Sequence, residues 1–297
     1  MNEKITANTA NFCSLQVSGL RKKTNRAESF LLRILVYISA ILSLSVLIFL
    51  VIYILVMGIP HITGKLFSLT YTSENLSFVP AFFNTLIIGL LTLLLAVPLG
   101  VGAAIYMNEY ASSTNRLVPI VRMTAETLAG IPSIVYGLFG YLLFVVALRW
   151  SYSLLAGICT MAIMVLPIIM RTSEEALKAV PDAYREGSFG LGAGRLRTVF
   201  SIVLPAAVPG IFSGIVLSAG RIVGETAALI YTAGTVASVP SSLMGSGRTL
   251  SVHLYALWVE GLSSDQSYAA AVMLLVLVVI LNALSSWIAG KAAVSHG

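Results

Sequence analysis

Two ionisable residues stand inside an otherwise apolar stretch of this 297-residue chain. Arg221 and Glu225 lie four residues apart within LSAGRIVGETAALIY. A charged group in hydrocarbon costs about 2.5 to 3.5 kcal/mol on insertion scales, so two of them in one segment indicate a role. A guanidinium offers a planar fork of donors that suits oxyanions, and a nearby carboxylate would hold that charge between passages so that anion binding stays weak.

Small and polar residues accompany this pair along one side of the predicted helix. At about 100° per residue, the set falls within an arc of about 80° and comprises Gly210, Gly214, Ser218, Arg221 and Glu225. In one interpretation the stripe lines a pathway, with Gly214, Ser218, Arg221 and Glu225 facing the solute. In the other, the two charged residues pair with each other at i and i+4, and the glycines pack against a neighbouring helix.

A second constellation occupies the most polar internal segment, at about residues 171–205. Pro181 suits a first helical position, and Asp182 favours the positive end of a helix. Glycines at 190, 192 and 194 then break the helix. We therefore predict a short helix that fits a groove on another protein. The residues assigned to this surface are Pro181, Tyr184, Glu186, Gly187, Ser188, Gly192, Leu204 and Pro205.

The elements that must position these residues are membrane-spanning helices. The chain is 58% hydrophobic and 10% charged, with mean hydropathy +0.93, whereas an ordinary soluble domain has about 25% charged residues. A span needs about 20 apolar residues. Six spans are predicted, at about Leu32 to Met57, Ala81 to Tyr106, Glu126 to Leu148, Leu154 to Met170, Val208 to Ala228 and Tyr268 to Ala289.

The predicted fold class is all-α, a polytopic membrane protein with one transmembrane domain. That domain covers residues 31–290, with an amino-terminal tail at 1–30 and a carboxy-terminal segment at 291–297. The predicted inner segments hold Lys4, Arg21, Lys22, Lys23, Arg26, Arg33, Arg116, Arg122, Arg171, Lys178, Arg185, Arg195, Arg197 and Lys291. The outer segments hold Lys65, Arg149 and Arg248. Because basic residues concentrate in cytoplasmic loops, both termini should face the cytoplasm.

Several function classes lack their signatures. The glycines at 190, 192 and 194 do not have GxGxxG spacing, and GSGRTL from Gly245 lacks the lysine of a P-loop. His61, His253 and His296 are scattered, and Cys13 and Cys159 lie far apart without metal-ligand spacing. We therefore expect no bound cofactor or metal, no catalytic activity in this chain, and no nucleic-acid partner, because the membrane explains the basic residues.

Several segments between about residues 75 and 235 carry a resemblance to a known family. They are NTLIIGLLTLLLAVPLGVGAAIYMNEYA, ETLAGIPSIVYGLFG, GRIVGETAALIYTAG and the loop in which Glu186, Gly192 and Pro205 have the spacing of the EAA coupling motif. Together they resemble the PstA and PstC permeases of phosphate ABC importers, which have the type I, MetI-like fold. Gly187 and Ser188 replace the two alanines of that motif, so close approach is preserved but helix propensity falls.

The resemblance implies a complete importer in the bacterial inner membrane. Its expected partners are a second, PstC-like permease subunit, a cytoplasmic PstB-like ATPase dimer that uses ATP, an extracytoplasmic PstS-like phosphate-binding protein, and membrane lipid. Three alternatives stay open: an ABC permease for phosphonate, molybdate, sulfate or another solute, an ion-coupled carrier, and a lipid-modifying transferase with Glu126 or Glu186 as base.

Overall fold

The structure is a computed structural model that describes residues 26–111, 115–259, 261 and 264–294. Most of the predicted amino-terminal tail, with Cys13, and the last three residues of the carboxy-terminal segment lie outside the described residues. Every regular element in the described ranges is helical. The α-helices are α1 (Arg26–Gly58), α2 (Val79–Ile105), α3 (Leu117–Ala129), α4 (Ser133–Gly140), α5 (Leu154–Lys178), α6 (Asp182–Gly190), α7 (Arg195–Thr198), α8 (Leu204–Gly224), α9 (Ala227–Thr232), α10 (Leu250–Val259) and α11 (Ser264–Val294).

Wider and tighter turns join several of these helices. Single π-helical stretches extend α2 to Tyr110 and α4 to Ala147, and another, Val199–Val203, runs from α7 into α8. Two short 3₁₀ turns, Ile59–His61 and Gly64–Phe67, lie between α1 and α2.

The chain divides into two compact units, residues 1–54 and 55–297. In the first unit, the described residues are 26–54 of α1, and large apolar side chains such as Leu31 and Phe49 are exposed. A helix that is apolar on all sides is suited to lipid. The second unit contains all the residues assigned to a site.

Helix α5 is the central helix of the second unit. In its most apolar window, 67% of the residues are buried, against 22% to 28% in the windows of α2, α8 and α11. It packs against α2 and α8, and its Met161, Met164, Val165 and Ile169 belong to the main apolar cluster. Helix α11 packs against α8 on another side, so α8 lies between α5 and α11.

Among the described residues, five helices are long and apolar enough to cross a membrane, and the third predicted span is broken. The segment predicted as one span, Glu126 to Leu148, forms α3 and α4 with a bend of 102° between them. Pro132 lies at the bend, where it lacks an N–H donor and restricts the residue before it. The third predicted span is therefore a bent pair of helices, and with this pair counted as one span the described residues contain six.

The fifth span also ends earlier than predicted. Helix α8 stops at Gly224, and Glu225 has an extended backbone with φ −75° and ψ 127°. A separate short helix, α9, then begins at Ala227. The prediction of one helix through Ala228 was wrong. Glu225, the last residue of the predicted polar stripe, therefore does not lie on the helix that carries Arg221.

The two ends of α2 define the two ends of the second unit. At its first turns, the Thr85 hydroxyl accepts a hydrogen bond from the Leu250 backbone N–H at 2.8 Å. Beyond its last turn, Glu109 forms a salt bridge with Arg185 of α6 at 2.7 Å. We call the end that holds α6 the loop end and the end that holds Leu250 and α10 the far end.

Candidate functional site

Arg221 lies in the last turn of α8 and is half-buried. Within the described part of the chain, no residue forms a hydrogen bond or salt bridge with its guanidinium. Its charge lies within electrostatic reach of the Tyr136 hydroxyl on α4. A cation in the last turn also complements the negative end of the helix dipole. The side chain thus lies near a polar hydroxyl, and its donors have no partner among the described residues.

The packing interpretation pairs the Glu225 carboxylate with Arg221, but in the structure this carboxylate has a different partner. Its side chain is 8% exposed, and Oε1 accepts a hydrogen bond from the Ala228 N–H at 3.1 Å. Its backbone carbonyl accepts one from the Ser251 hydroxyl at 2.6 Å. The carboxylate therefore caps α9. No salt bridge to Arg221 is found in the described ranges, because α8 ends between the two residues.

Gly214 and Ser218 lie where α8 packs on α5. A Cβ at Gly214 would overlap the hydroxyl of Thr172, so only glycine permits this approach. Ser218 is fully buried and donates to the Gly214 carbonyl at 2.9 Å. Neither residue faces open space in this conformation, and the pathway hypothesis is carried by Arg221 and Glu225.

The short helix predicted in this segment is present as α6, which we call the coupling helix after the motif that it resembles; its docking on another protein stays a prediction. Pro181 stands one position earlier than expected, at the N-cap, and Asp182 opens the first turn. Gly192 has φ +83°, a conformation that glycine adopts at little cost. The buried Ser188 hydroxyl is 2.8 Å from the Thr198 hydroxyl, so α6 and α7 are fastened to each other. The loop therefore has a defined structure that is held by its own contacts.

This loop carries exposed apolar and aromatic side chains. Tyr184 is 55% exposed, Phe189 47% and Leu191 91%. A Cβ at Gly187 would meet nothing within 4 Å, which leaves room for a close neighbour. Glu186 is exposed on the same helix. Exposed apolar residues on a polar loop are typical of a protein-binding surface.

Leu204 and Pro205 do not belong to the exposed part of the loop. They are the first two residues of α8 and directly follow the π-helical stretch Val199–Val203, which continues the helix from α7. Leu204 packs against the apolar cluster that includes Leu177 and Val203. These two residues therefore connect the coupling loop to the helix that carries Arg221.

Arg185 and Glu109 are the functional residues that the sequence did not single out. Arg185 Nη2 donates to Glu109 Oε1 at 2.7 Å and to the Leu177 carbonyl at 2.9 Å. Its Nη1 donates to the Val180 carbonyl at 2.8 Å and to Asp182 at 3.1 Å. The Glu109 hydrogen bond raises the pKa of Arg185 above its usual value. The pair ties the coupling helix to the end of α2.

A second ionic group lies at the loop end. Glu174 of α5 is buried and contacts both Arg122 of α3 and Lys178 of its own helix, the latter at 2.7 Å. This cluster fastens the first half of the broken span to the central helix. The sequence showed these charges only as a positive-inside bias, because their contact depends on how α3 packs.

Comparison with known proteins places the chain in a family. Residues 96–292 match the family described as binding-protein-dependent transport system inner membrane component. The chain belongs to this family. The sequence resemblance to the MetI-like importer permeases is thereby confirmed, and the protein is a multi-pass membrane permease subunit of an ABC importer.

Individual relatives agree with this assignment. The chain is 33% identical over 222 residues to the probable ABC transporter permease protein YqgI of Bacillus subtilis, which covers 69% of this chain and 75% of that protein. It is 34% identical over 219 residues to the phosphate transport system permease protein PstA 2 of Mycobacterium bovis, covering 71% and 72%.

A solved structure supports the fold. The crystal structure of a bacterial alginate ABC transporter, in complex with an alginate pentasaccharide-bound periplasmic protein, matches with a TM-score of 0.65 at 18% identity. The match covers 89% of this chain and 96% of the other. At this identity the likeness concerns the fold, which is that of ABC importer permeases.

Proposed function

We propose that this permease carries inorganic phosphate into the cytoplasm as one half of the pore of an ABC importer. Two findings support phosphate: the similarity to a relative named as a phosphate transport permease and the chemistry of Arg221. The observation that carries the proposal is the Arg221 guanidinium, which has no hydrogen-bond or salt-bridge partner among the described residues although it lies in a membrane-spanning helix.

Arg221 is suited to a passing oxyanion because its donors are unused. A guanidinium binds two phosphate oxygens through parallel N–H donors. Transport also requires weak binding, so that the anion leaves again. The Glu225 carboxylate, held by the Ala228 N–H three residues further along the chain, supplies a negative charge near the same break and limits how tightly an anion is retained.

Energy for transport would enter through α6. The exposed side chains of Tyr184 and Phe189 fit a groove on a cytoplasmic ATPase dimer of PstB type, which hydrolyses the ATP. Movement of α6 would reach α2 through the Arg185–Glu109 salt bridge. The chain itself contributes no nucleotide site to this proposal, and ATP acts only on the partner.

The other partners follow from the same assignment. A second permease subunit of PstC type would complete the pore, and a phosphate-binding protein of PstS type would deliver the anion at the far end. The location is the bacterial inner membrane, with both termini and the coupling loop in the cytoplasm. The tail at residues 1–30 and the segment at 291–297 would then flank the transmembrane domain on the cytoplasmic side.

Uptake of radiolabelled phosphate tests the proposal. Cells that lack this chain and other phosphate carriers are complemented with wild type, Arg221→Gln, Arg221→Lys or the control Arg149→Gln, which changes an exposed arginine. We expect at least a tenfold loss for Arg221→Gln, a smaller loss for Arg221→Lys, which keeps the charge, and none for the control. Wild-type uptake by Arg221→Gln, at equal protein level, would contradict the pathway role.

Competing anions and energy sources separate the alternatives. Arg221 would also suit sulfate, molybdate or a phosphonate, so the same cells are challenged with each anion in excess. Phosphate import predicts that these anions leave phosphate uptake unchanged. An ion-coupled carrier would stop when an ionophore collapses the gradient, whereas an ABC importer stops when ATP is depleted.

A further inference from the structure

Arg248 is a second cation inside the second unit, at the far end. It immediately precedes the Thr249–Leu250 start of α10 and is only 3% exposed. Its backbone N–H donates to the Val236 carbonyl at 2.9 Å, and its carbonyl accepts from Asn84 Nδ2 at 3.1 Å. The backbone is therefore fixed between α2 and the segment that follows α9.

The side chain of Arg248 lacks the partner that a buried cation needs. Its Cζ lies 4.5 Å from the ring centre of Tyr71. Its Nε and Nη2 atoms have no hydrogen-bond partner, and across the described ranges no carboxylate forms a salt bridge with it. Nε and Nη2 form one edge of the fork, the edge that binds two oxygens of one anion. The face of an aromatic ring offsets only part of a buried charge.

The groups around Arg248 do not supply a second charge. The buried His253 ring packs edge-on against the same Tyr71 ring, with centres 6.0 Å apart. His253 lies in α10, a helix that is too short to span a membrane. Burial and the neighbouring Arg248 charge lower the pKa of His253 to about 3, so the imidazole is neutral at physiological pH. Of these two groups, Arg248 therefore carries the positive charge.

A continuous chain of contacts joins Arg248 to the break that follows Arg221. Thr249 is the next residue, and its hydroxyl is 3.1 Å from that of Ser251. The Ser251 hydroxyl donates to the Glu225 carbonyl at 2.6 Å. The two cations thus lie on elements that contact each other, one at the far end and one at the end of α8.

We propose that Arg248 is a second oxyanion-binding residue, at the far end of the pathway, and that the Tyr71 ring covers it in this conformation. The inference rests on the proposed phosphate import. Tyr71 belongs to the connection between α1 and α2 and is partly exposed, so it can leave without unfolding a helix. When it leaves, the guanidinium becomes accessible, and an incoming phosphate binds along its free Nε–Nη2 edge.

Replacement by an apolar side chain separates this role from a structural one. Exchanging a buried ion for a packed hydrophobic residue is often neutral or stabilising. If Arg248 only supported the fold through Tyr71, Arg248→Met would lower stability, and transport would fall with it. If it binds the anion, Arg248→Met forms a stable protein that transports poorly.

The test uses the complete transporter in lipid vesicles, with labelled inorganic phosphate delivered by its binding protein. We expect Arg248→Met to keep the thermal midpoint of the wild type or raise it, and to lower the maximal uptake rate at least tenfold. The KM for the phosphate-loaded binding protein should not change, because Arg248 is only 3% exposed and is not available to a docked protein. Arg149→Met, which alters an exposed arginine near the same end, should match the wild type in every measurement.

The remaining outcomes are also decisive. Wild-type transport by Arg248→Met overturns the inference, and so does a loss of rate that merely follows a loss of thermal stability. If Arg248→Met does not assemble, Arg248→Lys decides: a rate reduced several-fold at normal stability supports the inference, and a wild-type rate refutes it. If the wild type itself imports no phosphate, the proposed function fails first.

Discussion

Three arginines of the second unit differ in how their guanidinium groups are partnered, and the difference separates their roles. Arg185 donates to two carboxylates and two backbone carbonyls, so its donors serve the fold. Arg221 and Arg248 have no carboxylate partner in the parts of the chain that are described. Because a charge inside a membrane protein is costly, free donors on a buried or half-buried arginine indicate a ligand.

Gly192 and Gly187 form a matched pair for testing the coupling loop. Gly192 has φ +83°, where an L-residue costs about 1 kcal/mol. Gly187 lies within α6 and has open space around it, so alanine there should stabilise the helix by up to about 1 kcal/mol. We expect Gly192→Ala to reduce phosphate uptake several-fold and Gly187→Ala to retain it. The measurement is phosphate uptake per assembled complex. Equal rates for both variants would contradict the view that the positive φ of Gly192 is needed for transport.

Local sequence patterns predicted the coupling helix because all its signals are adjacent in the chain. Pro181 and Asp182 mark its start, and Gly192 lies just beyond its end. Tertiary features were not predictable in this way. Glu109 and Arg185 are 76 positions apart, so no local spacing connects them. The early end of α8 was missed because an apolar run continues past Gly224 while the backbone turns at Glu225.

Helix α2 contacts both the segment that holds Arg248 and, through Glu109, the coupling helix α6. Near its start, Asn84 binds the Arg248 carbonyl, and Thr85 accepts from the Leu250 N–H. Just beyond its end, Glu109 binds Arg185 of the coupling helix. Between these points α2 packs along the central helix α5. A displacement of α6 would therefore reach the far end through one helix.

Glu109→Gln tests whether this connection transmits the work of the ATPase. The substitution keeps the shape but removes the charge, which leaves Arg185 with Asp182, an exposed carboxylate, as its salt-bridge partner. We expect the ATP hydrolysis of the assembled importer to continue while phosphate uptake per ATP falls at least threefold. The ratio of the two rates in vesicles is the measurement.

Asp182→Asn is the matched control for Glu109→Gln. It removes the other carboxylate that contacts Arg185, but this one is exposed and belongs to α6 itself. Uptake per ATP should stay near the wild-type value. An equal loss in both variants would mean that the charge of Arg185, rather than the link to α2, is what matters.

At the scale of the whole molecule, the distribution of charged residues favours one orientation of the protein in the membrane. The ionic clusters of Glu109 with Arg185 and of Glu174 with Arg122 and Lys178 all lie at the loop end. Basic residues favour the cytoplasmic side of a membrane. The far end, with its apolar helix α10 and the covered Arg248, would then face the binding protein.

Cysteine labelling tests this orientation. In a variant with Cys13 and Cys159 replaced by serine and alanine, a new cysteine is placed at Gly187 or at Gly64, both exposed positions where a side chain meets nothing within 4 Å. A maleimide that cannot cross membranes should label Gly64→Cys in intact cells, because its segment lies at the far end. It should label Gly187→Cys only in inverted vesicles, where the cytoplasmic face is outside. The reverse pattern would turn the molecule over and place the coupling helix where no ATPase can reach it, so this labelling decides whether α6 is able to dock at all.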